Sequence, residues 1–409
     1  MKYIILLGDG MADLPLEELG GKTPLEYAHT PYMDRIAEEG TLGMINTIPE
    51  GFSPGSDVAI MSVLGYNPEE CYTGRGPLEA ANIGVRLGAD DVAFRCNLVT
   101  LRENTECIME DFTAGHITTE EARRIINDIN NYLGSGDFQF YPGVSYRHLL
   151  VWKYGKADLS TTPPHDITGI AINDYLPRGK GMEAIRRLME RSQIFLRDHP
   201  VNQLRIAEGK KPANSIWLWG QGRAPKFAKL TDKYGLQGGM ISAVDLLNGI
   251  GIYAGLKVIR VDGATGYIDT NYDGKASMAL QSIRESDFIF VHLEAPDEMG
   301  HEGNIAGKIR AIEDFDEKIV GAILNGIYGM SPFRLLVLSD HPTPISLRTH
   351  SSDPSPFGVL SSDKNENLRK GLAFSEKSAL RDGLMISPGY LLMDRFIKDW
   401  RPYIEEKSR

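Results

Sequence analysis

The sequence predicts an α/β fold: a mainly parallel sheet with helices on both faces, plus a small inserted α+β domain. Three observations carry this. Short runs that are apolar throughout alternate with helical patterns, as expected of strands covered on both faces. The stretch 91–159 reads differently, as strand, strand, helix, strand, strand. A chain of 409 residues that is 42% hydrophobic also has ample apolar surface for more than one core.

The first strand is the run 3–7, which ends just before Gly8-Asp9-Gly10. A helix follows over 30–39, with Thr30 before Pro31 at the first turn. A second strand covers 43–48, and an apolar helical run begins at Ser56. The insert then supplies strands 92–101 and 106–111, and a helix 119–133 capped by Thr118 or Thr119 with Glu121 in the first turn. Strands 137–141 and 146–152 complete it. Residues 160–164 and 178–181 read as the return connection, and 182–197 as an amphipathic helix rejoining the main domain. Further strands are expected at 215–219, 257–261, 287–293 and 334–338, with helices at 242–254 and 305–324. The expected division is a discontinuous core, 1–88 with 178–409, around an insert at 89–177.

Charge and cysteine usage remove several functional classes. Lys and Arg total 44 against 55 Asp and Glu, a net charge of −11, which argues against a nucleic-acid binder. Cys71, Cys96 and Cys107 form no C-x-x-C pair, so reduced thiols are expected rather than a disulfide framework or a cysteine zinc site. No apolar run is long enough for a membrane span, and a cytoplasmic protein is expected. No P-loop occurs, and Gly249 and Gly251 lie inside a helical pattern, the wrong context for a dinucleotide loop.

Carboxylates and histidines recur at predicted strand ends. Asp9 follows the first strand. Asp297 and His301 follow the 287–293 strand, four residues apart and so on one helical face. Asp340 and His341 follow the 334–338 strand, with His350 nine residues beyond His341. Each piece alone also reads as a turn, a cap or an ordinary histidine. Together they sit where open α/β sheets bind ligands, and their oxygen and nitrogen donors suit manganese, zinc or magnesium. Ser56, after Pro54-Gly55, opens a helix whose N-terminus favours an anion; it reads either as a cap or as a nucleophile needing metal activation. Arg75 lies in a glycine-rich loop, Arg223 and Lys226 follow the 215–219 strand, and His165-Asp166 lie on the return connection. These are candidate substrate contacts or solvated surface. Arg147, His148 and His116 belong to the insert.

The set Asp9, Ser56, Asp297-x-x-x-His301, Asp340-His341 and His350 resembles the alkaline phosphatase superfamily. More narrowly, GDGMAD, GKTPLE, HTPYMD, PGSDVA, LGYNP, YTGRGPLEA, PHDITG and GATGYIDT are similar to motifs of archaeal-type cofactor-independent phosphoglycerate mutases, in order along nearly the whole chain. That resemblance implies two divalent metal ions (manganese, zinc, cobalt or magnesium) and no 2,3-bisphosphoglycerate. Asp297, His301 and His350 would hold one ion; Asp9, Ser56, Asp340 and His341 would hold the other. It implies that Ser56 is phosphorylated transiently while 3-phosphoglycerate and 2-phosphoglycerate interconvert, with the insert closing to exclude water. The small phosphorylated substrate would be bound by Arg75, His165, Asp166, Arg223 and Lys226. One departure stands out: no arginine occurs between Glu103 and Glu121, where Glu110, Asp111 and His116 lie instead. In this the chain is similar to a bacterial subgroup proposed to act as a homoserine kinase, since an acidic pair could receive an ammonium group.

Overall fold

A computed structural model of the chain describes residues 1–103, 105–330, 332–382 and 384–407. It comprises two compact units, Met1–Tyr72 with Phe227–Arg409, and Thr73–Lys226.

The first unit is built on an eight-stranded sheet. Its order is Lys257–Val258, Gly238–Ile241, Phe288–Leu293, Lys2–Gly8, Phe333–Ser339, Ser355–Ser361, Thr41–Ile45 and Met385–Ile386. Neighbours pair in parallel except at Ser355–Ser361, which runs antiparallel to both of its partners. The central three strands are buried along their lengths (Lys2 excepted), which explains their unbroken apolar character. The expected strands at 3–7, 43–48, 257–261, 287–293 and 334–338 are all present, with shifted ends. The strand at 355–361 is one the sequence pattern concealed, because Pro356 and Gly358 interrupt its β signal. The helix expected at 305–324 begins as Ile305–Asp314, passes through a π-helical stretch at Phe315–Gly321 and continues to Ile327.

The second unit has its own core. Val92–Glu103 is its spine, pairing antiparallel with Arg147–Trp152, with Ser215–Gly222 and with Cys107–Asp111. Phe138–Val144 pairs antiparallel with Arg147–Trp152. The helix Thr119–Leu133 starts in a capping box, Thr118 with Glu121, and buries Ile125, Ile126, Ile129 and Leu133 in this core. Two expectations need correction. The run 215–219 does not join the main sheet; it extends the second unit's sheet. The second unit is also wider than 89–177. Met182–Leu196 packs on Ser215–Gly222 and buries Ile185, Leu188, Met189 and Leu196 with the insert's residues, while Arg75–Asn82 packs on the spine strand. An amphipathic pattern shows that a helix is buried on one side, not which sheet buries it.

A buried ion pair fastens the loops that leave the first unit's sheet. Lys308, fully buried on the helix Ile305–Asp314, donates to Asp13 Oδ2 (2.7 Å), to the carbonyl of Thr343 (2.8 Å) and to that of Ala12 (3.2 Å). Asp13 also accepts from the amide of Ile345 (3.2 Å). The segment after Asp9 is thereby tied to the segment after His341. Beside this pair, Glu376 is buried and accepts from the Asp13 amide (3.0 Å) and the Thr23 hydroxyl (2.8 Å). Burial pushes the Glu376 carboxyl up to about 7.

Lys308→Met leaves the Asp13 carboxylate buried without its cation, and is expected to cost about 3–5 kcal/mol in urea unfolding. An unchanged unfolding midpoint would show that the ammonium does not hold these loops. Glu376 gives a pH signature. Its raised value in the fold favours the protonated form, so its contribution is complete below its ordinary 4.5 and is lost as pH rises through about 7. Glu376→Gln is expected to flatten the fall in melting temperature over that window; an unaltered profile would contradict the assignment.

Candidate active site

Strand ends deliver the chemistry of the first unit. Asp9 follows Lys2–Gly8, whose neighbours are Phe288–Leu293 on one side and Phe333–Ser339 on the other. Those neighbours lead into Asp297 and His301, on the helix Ala295–Glu302, and into Asp340 and His341. Three adjacent parallel strands therefore lead into candidate metal ligands. Gly10 has a left-handed backbone (φ 57°), and a Cβ there would run into Asp297, so the turn after Asp9 requires glycine.

The structure brings all seven expected residues into two adjoining groups. In the first, Asp297 Oδ2 lies 3.2 Å from His301 Nε2, and Asp297 Oδ1 lies 3.5 Å from His350 Nε2. The Nε2 atoms of His301 and His350 are 2.9 Å apart. In the second group, Asp9, Asp340 and His341 offer ligand atoms within 4.8 Å of one another. Ser56 Oγ lies 3.3 Å from Asp9 Oδ1 and 3.2 Å from His341 Nε2. The His341 and His350 rings, one from each group, are 4.3 Å apart between centroids.

Ser56 is no cap. Gly55 holds the N-cap position, and Ser56 is the first residue of the helix Ser56–Val63, with its hydroxyl directed to Asp9 and His341. The free amides and positive end of that helix favour an anion on this oxygen.

The donors fit divalent cations. Asp340 Oδ2 is buried without a hydrogen-bond partner, a carboxylate oxygen left for an ion. Burial, reinforced by Asp340, Asp297 and Glu294, pushes the Asp9 carboxyl well above its usual range, which is the signature of an anion lacking its counter-charge. Burial also opposes ionisation of Asp297, but hydrogen bonds from His301 and His350 outweigh it and hold that carboxyl well below its usual range. The same hydrogen bond raises His301 to about 9. His301 Nδ1 faces the Arg348 carbonyl (3.1 Å) and His350 Nδ1 faces the Pro54 carbonyl (3.2 Å). These acceptors keep a proton on each Nδ1, so that a cation displacing the Nε2 protons would find Nε2 turned to the cluster, as second partners of metal-binding imidazoles arrange.

Sequence reasoning missed three side chains around this cluster. His292 Nε2 lies 2.8 Å from Asp9 Oδ2, the Thr343 hydroxyl donates to Asp297, and the Thr47 hydroxyl donates to the Asp340 carbonyl at 2.5 Å. The signal for His292 was present, a lone histidine inside the apolar strand FIFVHL.

The remaining candidates lie in the second unit. The Arg75 and Arg95 guanidiniums lie over the Trp219 ring, at 6.0 and 4.5 Å, and the His165 ring is 5.4 Å from it. Burial lowers the Arg95 pKa; Glu79 opposes that, while the charges of Arg75 and Arg147 add to it, so three guanidiniums share one neighbourhood. Arg147 Nε is buried without a hydrogen-bond partner. Asp166 pairs with His165 at 3.6 Å. Arg223 is engaged by Asp90 (3.4 Å) and the Gly155 carbonyl (3.1 Å), and Lys226 closes the unit. The acidic pair expected to receive an ammonium group already has cations of its own: Asp111 meets Lys211 at 2.9 Å, and Glu110 meets Arg102 at 3.7 Å. Among the described residues no helix is long and apolar enough to cross a membrane.

Comparison with known proteins agrees with this chemistry. The family model for 2,3-bisphosphoglycerate-independent phosphoglycerate mutase matches residues 37–202. A probable 2,3-bisphosphoglycerate-independent phosphoglycerate mutase of Geobacter sulfurreducens is 53% identical over 97% of this chain and all of its own. A 2,3-bisphosphoglycerate-independent phosphoglycerate mutase of Methanosarcina barkeri is 55% identical over 94% of this chain and 96% of its own. Among solved structures, the PH0037 protein of Pyrococcus horikoshii superposes with TM-score 0.81 at 30% identity, covering 98% and 97% of the two chains. The cofactor-independent phosphoglycerate mutase of Thermoplasma acidophilum superposes with TM-score 0.66 at 25% identity, covering 97% and 99%. Sharing more than half its residues with these relatives, and carrying two adjoining carboxylate-imidazole groups beside a serine that opens a helix, the chain belongs to the 2,3-bisphosphoglycerate-independent phosphoglycerate mutase family.

Proposed function

We propose that Ser56 carries the phosphoryl group while this enzyme interconverts 3-phosphoglycerate and 2-phosphoglycerate. The observation behind the proposal is the position of Ser56 Oγ, at a helix N-terminus and within 3.3 Å of both Asp9 and His341. Asp297, His301 and His350 would hold one divalent cation, and Asp9, Ser56, Asp340 and His341 a second. Manganese, zinc, cobalt and magnesium all accept such donors. Bound there, such cations supply charge neutralisation for phosphoryl transfer and lower the pKa of a serine hydroxyl.

The chain's own groups do the rest. Ser56 Oγ attacks phosphorus as the bond from phosphorus to the glycerate oxygen breaks; the proton shed by the serine, which Asp9 Oδ1 is placed to accept, is matched by one taken up by the departing oxygen, and the return transfer reverses this exchange. The amides that open Ser56–Val63 face the transferred anion. The glycerate then presents its other hydroxyl, which takes the phosphoryl group back from Ser56. No bisphosphorylated primer is needed, because the group waits on the protein between its two transfers. In the second unit, Arg75, Arg95 and Arg147, with His165, Asp166, Arg223 and Lys226, are assigned to recognition of the anionic substrate. Guanidinium forks match both its carboxylate and its phosphate. A glycolytic substrate of this kind places the enzyme in the cytoplasm.

The decisive assay follows 3-phosphoglycerate conversion by coupled enolase, with each of the four metals supplied. Turnover is expected with at least one of them. Failure with all, alongside phosphorylation of homoserine, would overturn the reading. Ser56→Ala is expected to lower kcat by roughly 10⁴-fold or more, as loss of a nucleophile does; a variant near wild-type activity would remove Ser56 as the carrier. Arg75→Ala is expected to raise KM about 10- to 100-fold, the worth of one charged hydrogen-bonded contact. An unchanged KM would return Arg75 to the structural residues.

A further inference from the structure

The cluster's carboxylates do not have equivalent oxygens, and the difference traces to one residue outside the ligand set. We infer that His292 is a positioning residue that commits Asp9 Oδ2 to itself, leaving Oδ1 alone for Ser56 and the cation; the inference rests on the site reading given above. His292 lies on Phe288–Leu293, in register with Leu7 two positions before Asp9, and its side chain is fully buried. Both nitrogens of this buried imidazole are satisfied. Nε2 meets Asp9 Oδ2 at 2.8 Å, and Nδ1 meets Ser242 Oγ at 3.1 Å.

These partners fix the tautomer. Beside a bound cation the Asp9 carboxylate is ionised and only accepts, so the ring proton sits on Nε2 and points at Asp9. Nδ1 is then an acceptor and takes the Ser242 hydroxyl hydrogen. The Ser242 oxygen meanwhile accepts the amide of Val244 (3.0 Å), which leaves its own hydrogen to the ring. Behind the ring, the fully buried Lys275 donates to the His292 carbonyl (3.3 Å) and fixes the backbone. The chain Ser242, His292, Asp9, Ser56 is therefore continuous, with one hydrogen assigned at each link. Its effect on Asp9 is twofold. The carboxylate plane cannot rotate, and Oδ1, 3.3 Å from Ser56 Oγ and 3.5 Å from His341 Nε2, is the oxygen left facing the site. Asp9 thus offers a cation one oxygen. Without the imidazole it would be free to turn, to bind through both oxygens or to swing from the serine.

The test uses the full chain, stripped of metal by chelation, and titrates Mn²⁺ calorimetrically into wild type, His292→Phe and His292→Gln. Phenylalanine keeps most of the ring volume without a donor; glutamine restores a donor. Wild type is expected to bind two ions. In His292→Phe one of the two affinities is expected to fall roughly 10- to 100-fold, as loss of a second partner of a ligand does, with the other unchanged. His292→Gln should recover most of that loss, and kcat should follow the weakened site while KM for phosphoglycerate holds. Equal affinities in wild type and His292→Phe would overturn the inference. So would a parallel weakening of both sites with no recovery by glutamine, the pattern of a merely structural residue. Should His292→Phe fail to fold, Ser242→Ala serves: a selective drop of about threefold or more at one site supports the inference, and none overturns it. If wild type binds no Mn²⁺, the site reading itself falls, and that result is distinct from any of these.

Discussion

Three carboxylates are buried together at the ends of three neighbouring parallel strands, and their mutual repulsion is the constraint that organises the first unit. Asp9, Asp297 and Asp340 are each at most 5% exposed. Apolar packing alone would not keep them there, because burying like charges together raises the cost of each. The structure answers the repulsion with donors chosen oxygen by oxygen. Asp340 Oδ1 takes the amides of Gly10 (3.1 Å) and His341 (2.9 Å), Asp297 takes the Thr343 hydroxyl, and Asp9 Oδ2 takes His292. What these donors leave unanswered, the buried Asp340 Oδ2 above all, is the part a cation answers.

Such a cluster needs a rigid frame, and the buried ion pair of Lys308 and Asp13 provides one. A lysine in the interior is costly unless every proton is used. Lys308 uses all three, on two loops, and each loop follows a strand that leads into candidate ligands. The same logic explains Gly10: the turn after Asp9 must pass close to Asp297, and any side chain there would separate the two groups. The geometry of the site is thus set as much by residues that never face its centre as by the seven that do.

How much of this was legible depended on whether the signal was local. The candidate ligands were readable because Asp9 and the Asp340-His341 pair stand just past apolar runs, and Asp297 and His301 on the turn after another, where a carboxylate or imidazole has no place in a core. The parallel sheet was readable from the same runs. His292 gave a signal but no role, because a histidine inside a strand finds its partner only once its neighbour across the sheet is known to be Asp9's own strand. Ser215–Gly222 was misplaced for a related reason: an apolar strand fits either sheet, and the residues that claim it, Ala93–Val99, are more than a hundred positions away.

Charge recognition shows the limit most clearly. An arginine-free stretch from Glu103 to Glu121 suggests a site without guanidinium donors and an acidic pair open to an ammonium group. In space the opposite holds. Asp111 and Glu110 are answered by Lys211 and Arg102, whereas Arg75 and Arg95 gather with His165 around Trp219, and the charge of Arg147 bears on Arg95. The three charges repel one another; Glu79 answers Arg95 at 3.0 Å, and Arg147 Nε is buried without a hydrogen-bond partner. This group is the cationic counterpart of the carboxylate cluster in the first unit. The proposed substrate, an anion carrying both a carboxylate and a phosphate, would offset that repulsion; one bearing an ammonium group would add to it. The proposed recognition rests on where the arginines converge, and the net charge of −11 says nothing against it.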